Sequence, residues 1–183
     1  MAKASSQTTD PLTNLPTMPF RNRRALDAQW TDALRLHGIQ KFTAPQPPEP
    51  PPELRQAIEQ FNGGEFWECH ETLEDVWRES PYPFRLFYHA VIKTAVGFHH
   101  LTEHNRHGAR VKLRDGVELL ELFQPEWMGV RTDLLLTDAT EWLSFVEAPA
   151  VAWDELDRRA KPSIYPLSRR GRGLEPAPYS IRG

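Results

Sequence analysis

Cysteine is nearly absent from this chain: Cys69 is the single one among 183 residues. An intrachain disulfide is thereby excluded, which fits a reducing setting such as the cytoplasm. Long hydrophobic runs are missing too. The most apolar stretch, 90–101, is short and carries Lys93, His99 and His100, whereas a membrane span needs about 20 apolar residues. The opening Met1-Ala2-Lys3-Ala4-Ser5-Ser6-Gln7-Thr8 lacks the apolar core of a signal peptide. A soluble, cytoplasmic protein is expected. Basic charge is scarce in the middle of the chain. Residues 53–157 hold 9 Lys and Arg against 20 Asp and Glu, a net charge of −11. Residues 158–183 hold 7 against 1, a charge of +6, and residues 1–52 hold 6 against 4, a charge of +2. An acidic body repels nucleic acid and attracts cations or basic partners.

Proline is plentiful and unevenly placed. Of 17 prolines, a dense group falls in Pro45-Gln46-Pro47-Pro48-Glu49-Pro50-Pro51-Pro52, which favours extended polyproline II and cannot continue a helix. This run divides a largely disordered N-terminal arm, 1–52, from the body. One weak helical stretch in the arm, 24–36, is loosely periodic. At the other end, 161–183 reads as a basic, flexible tail whose Ser168-Arg169-Arg170-Gly171-Arg172-Gly173 is of low complexity.

Between these flanks, 53–160, the apolar residues recur at helical spacing and show no strand alternation. Helices are expected at 53–61, 65–78, 84–103, 106–123, 132–146 and 153–160. Asn62-Gly63-Gly64 ends the first, Ser80-Pro81-Tyr82-Pro83 is a rigid turn, and Asn105 is placed to cap the fourth. Short connections make successive helices antiparallel neighbours. The expected fold is all-α: a compact bundle of about five antiparallel helices. Gly108-Ala109 is placed to let two helices approach closely.

The sharpest chemical signal lies in the second helix, Phe66-Trp67-Glu68-Cys69-His70-Glu71-Thr72-Leu73-Glu74-Asp75-Val76-Trp77. At 100° per residue, Phe66, His70, Leu73 and Trp77 share the core-facing side, with Glu74 at its edge. Glu68 and Asp75 point the opposite way and Glu71 lies between. A polar pair on an apolar face needs a partner, a proton or a metal. Two readings of His70 and Glu74 stand side by side: a buried hydrogen-bonded lock between helices, or two ligands of one metal ion. On the third helix, Arg85, His89, Lys93, His100 and His104 form a polar stripe from which His89 or His100 could complete a site. Lys93 opposes a second positive charge nearby and suits an ion pair with Glu74, or an anionic ligand. Trp67 is placed to cover the first helix, and Cys69 flanks the buried side.

The string Phe61-Asn62-x-Gly64-x-Phe66-x-x-x-His70-Glu71-x-Leu73-Glu74-x-x-Trp77, followed by Arg85, Ile92, Ala95, His100 and Asn105-x-x-Gly108-Ala109, resembles the signature of the domain-of-unknown-function family numbered 309, a small all-helical family. The resemblance spans about 53–146. It implies a multi-helix bundle and no particular activity, and its signature polar residues map onto His70, Glu71, Glu74, Arg85, His100 and Asn105. This chain departs from that pattern at His89 and Lys93, where a neutral residue such as glutamine is expected. It departs again at His104, where a glycine often precedes the asparagine.

Two functions follow as expectations. In the first, the bundle is a non-catalytic module whose polar-aromatic cluster (His70, Glu74, Trp77 and Arg85, with His89, Lys93, His100 and Asn105 around it) binds a small molecule or a protein, a second copy of the chain included. In the second, it is a metal-dependent hydrolase in which His70, Glu74 and His100 hold zinc, manganese or iron and Glu71 is the general base. Such an enzyme requires three ligands around one open position. An RNA-associated role through the basic tail ranks below both, since a few arginines are thin support and the body is acidic.

Overall fold

The computed structural model describes residues 41–42, 50–148 and 151–167. The expected helix at 24–36 and the Arg-Gly stretch at 168–173 lie outside the described residues.

The chain forms helix α1 (Pro52–Asn62), α2 (Phe66–Glu79), α3 (Phe84–Thr102), α4 (Arg106–Leu120), a 3-10 turn (Glu121–Phe123), α5 (Thr132–Glu147) and the short α6 (Trp153–Arg158). The first four helices follow one another across connections of three or four residues, so each packs on its neighbours in sequence. Proline begins α1 at a position where its fixed φ suits a helix and its missing N–H costs nothing. Gly64 ends the α1–α2 turn at φ +82°, a conformation that disfavours any side chain.

Helix α3 is the centre of the molecule. Twelve of its residues are buried, from Arg85 to Leu101. Small residues set its distance from α4. A Cβ on Gly116 would lie 2.5 Å from Thr94 Oγ1, and one on Gly97 would lie 2.7 Å from the Leu113 side chain. Gly108 is equally tight, since its Cβ would meet the His100 ring at 2.8 Å. The close approach expected at Gly108-Ala109 is therefore present, and two further glycines on this interface extend it. Aromatic rings fill the rest: Phe61, Phe66, Phe98 and Trp142 form one chain of ring contacts, and Phe42, Phe87, Phe123 and Trp127 form a second.

Several expectations are corrected. The fourth helix stops at Leu120 and finishes in the 3-10 turn. After it comes a two-stranded hairpin, β1 (Glu126–Trp127) with β2 (Val130–Arg131), turned by Met128 and Gly129, both at positive φ. Strands this short show no alternation in a sequence. The tail does not begin at 161. Ile164 and Pro162 are buried, Asn62 bonds Ile164 through both its amide nitrogen and its oxygen, and Arg131 N–H donates to Tyr165 O. The arm also contributes: Phe42 is buried and its N–H donates to Leu122 O. No helix among the described residues is long and apolar enough to cross a membrane.

Candidate functional site

Helix α2 buries Phe66, Cys69, Leu73 and Trp77. The core side is thus centred closer to Cys69 than expected, and His70 moves to its edge, half-buried. Cys69 is a core residue, and burial pushes its thiol pKa up to about 12. His70 and Glu74 then face a cleft of about 340 Å³ between α2, α3 and α4. Trp67, Trp77, Ile92 and Val96 supply its apolar walls. His70, Glu74, His89, Lys93 and Lys112 supply its polar ones.

Aromatic contacts hold the imidazoles in place. The Trp67 ring lies 4.8 Å from His70 and 5.1 Å from His99, so it bridges α2 and α3 instead of covering α1. Trp67 stays 45% exposed, an unusual position for a tryptophan and the more notable because it borders a cleft. The Trp77 and His89 rings are 5.0 Å apart. His70 Nδ1 is buried and has no hydrogen-bond partner among the described residues, so its lone pair or its proton is unsatisfied within the protein.

The charges pair differently from the expectation. Glu74 Oε1 lies 2.9 Å from Arg78, one turn along α2, and Lys93 Nζ lies 2.5 Å from Asp115 Oδ2 on α4. The expected Lys93–Glu74 pair is not formed, because each side chain has a nearer partner. Arg85 leaves the stripe altogether. It is 1% exposed, and its Nη1 donates to Trp77 O at 2.6 Å and to Arg78 O at 3.3 Å, while its guanidinium lies 4.2 Å over the Trp77 ring. It closes the carbonyl end of α2, where a cation is favoured.

The expected ligand set of His70, Glu74 and His100 is not brought together. His99, one residue earlier and 100° away on the helix, faces Trp67 and α2. His100 turns toward α4, where Nδ1 is 3.3 Å from Asn105 Nδ2. Among the described residues no three His, Cys, Asp or Glu side chains are grouped so as to hold a metal ion. Glu71, the expected general base, is exposed and stands outside the cleft lining. Asn105 is also structural: its Oδ1 accepts from Gly108 N–H at 2.9 Å and caps α4. His104 takes φ +52°, a conformation that glycine adopts more readily than a residue with a side chain. Its ring leaves the stripe to pack on Trp153.

His100 titrates below the usual imidazole range because of burial, then the neighbouring His99 and Lys112. Sequence reasoning missed Trp67, His99 and Lys112 as members of this neighbourhood. Trp67 carried the one visible signal, an aromatic residue off the apolar side of an amphipathic helix.

These features define an all-helical bundle domain with a polar-aromatic cleft on three consecutive helices. Residues 54–111 match the family described as Domain of unknown function (DUF309), and that segment is a DUF309 domain. The match is shorter than the 53–146 expected and ends inside α4. No curated protein matches the chain.

Proposed function

We propose that the α2–α4 cleft is a ligand-binding site and that the bundle is a non-catalytic binding module. One observation carries this reading: His70, Glu74 and Trp77 line one concave space with apolar walls, formed by three consecutive helices. A small cleft with apolar walls and a few convergent polar groups is the usual form of a small-molecule site. Trp67 offers a flat face at its rim, and aromatic anchors of this kind carry much of the energy in binding sites. Of the other polar residues of the signature, Arg85 and Asn105 serve as helix caps and His100 contacts Asn105.

The test is a fragment screen read by the indole N–H resonances of the intact chain. The expected result is at least one fragment that shifts the Trp67 signal and loses about tenfold or more in affinity in Trp67→Ala, a change of about 1.4 kcal/mol. His70→Ala is expected to weaken the same fragment. A screen in which no fragment depends on Trp67 or His70 would overturn the reading.

A further inference from the structure

The charges of the cleft cancel in pairs, with one remainder. Glu74 is neutralised by Arg78 at 2.9 Å and Lys93 by Asp115 at 2.5 Å. Lys112 also lines the cleft, is half-buried, and has no ion-pair partner among the described residues. It lies near His100, whose imidazole is held below the ordinary range by burial first, then by His99 and Lys112. This unbalanced cation sits within a segment, 53–157, whose net charge is −11. An ammonium in a concave apolar setting favours an anion there, because fewer waters screen it. His70 brings an imidazole to the same lining, and an imidazole N–H can donate to an anion. Trp67 and Trp77 provide flat surfaces on either side of His70 in the sequence of α2.

We infer that the cleft takes a planar, apolar ligand bearing an oxyanion, with Lys112 and His70 as the groups that receive the anion and Trp67 as the surface on which the flat body rests. This rests on the reading of the cleft as a ligand site. The rival chemistry is a cationic ligand held by the tryptophan faces and Glu74. It is disfavoured because Glu74 is already paired and an unpaired lysine shares the space.

Three probes of one shape separate these cases: 2-naphthoate, 2-naphthalenemethanol and 2-naphthylmethylammonium, titrated into the full chain by calorimetry and by the Trp67 indole resonance. The expected order is naphthoate tightest, the alcohol weaker by about tenfold and the ammonium weakest, as one charged contact of about 1.4 kcal/mol gives. Lys112→Gln is expected to remove the preference for naphthoate and to leave the alcohol unchanged. Added salt is expected to weaken naphthoate alone. Equal or tighter binding of the alcohol or the ammonium, or an equal loss of acid and alcohol in Lys112→Gln, would overturn the anion inference and leave the cleft as a ligand site. Failure of all three probes to reach Trp67 would overturn both.

Discussion

Replacing Arg85 by methionine isolates what the guanidinium does for the fold. Methionine is similar in length and apolar, so the change removes polar contacts with little loss of packing. The 2.6 Å bond to Trp77 O is buried and charge-assisted, and losing it while orphaning the carbonyl costs about 1.5–3 kcal/mol. The 3.3 Å bond to Arg78 O is part-buried and adds about 0.5 kcal/mol. The cation–π contact at 4.2 Å adds about 0.5–1 kcal/mol. Against these stands the cost of burying a charge, which methionine relieves. The net loss is then about 2–3 kcal/mol, or roughly 8–12 °C in Tm for a folded unit of this size. Urea unfolding followed by tryptophan fluorescence measures it, with Arg85→Lys expected to fall between the two because it keeps the charge and loses the fork. A methionine variant within about 1 kcal/mol of the parent would refute the idea that Arg85 closes the end of α2.

Other outcomes follow from the same geometry. Gly116→Ala should drive a methyl group into Thr94 and destabilise by about 1–3 kcal/mol in thermal unfolding; Gly64→Ala meets open space and should lose only about 1 kcal/mol, from its positive φ. The thiol of Cys69, raised to about 12 by burial, should resist a disulfide reagent at pH 8 in the native protein and react fully in denaturant; rapid native reaction would contradict the packing of α2. His100 has a lowered pKa in the folded state, so the unfolded chain binds its proton first. Its contribution to stability is complete above the ordinary imidazole value and is lost as pH falls through that value toward the folded one, and His100→Asn should flatten that part of a stability–pH profile. Asn62→Ala removes both bonds to Ile164 and should raise amide exchange across 161–167 while α3 is unchanged; equal exchange in both variants would mean that other contacts hold the segment.

Helices were legible wherever apolar spacing ran for three turns or more, as in α2 and α3, and Asn105 as a cap was legible from its place before α4. What the sequence could not display was set by long-range partners. Phe42 and Ile164 are single apolar residues with no periodic context, and they become core residues only because the Phe123–Trp127 cluster and Asn62 meet them in space. The hairpin is two residues wide, below any detectable period. At the site, a rotation of the buried side of α2 toward Cys69 decided which residues faced the cleft. The difference between His99 and His100 is one residue of helix, and periodicity does not resolve it. Much of the signature, Asn62, Gly64, Arg85, Asn105 and Gly108 among it, makes turns, caps and close contacts, while His70, Glu74 and Trp77 open onto the cleft.

All nine side chains around the cleft lie between Trp67 and Lys112, on three helices consecutive in the chain. Two of the bonds that secure the ends run much farther along the chain, from Phe42 to Leu122 and from Asn62 to Ile164. Contacts close in sequence cost less chain entropy to form than distant ones. Opening of the ends and opening of the cleft walls are therefore expected to be separate events, which amide exchange measures. A bound ligand would slow amide exchange across α2, α3 and α4 and leave the Arg131 and Leu167 amides opening at their own rate.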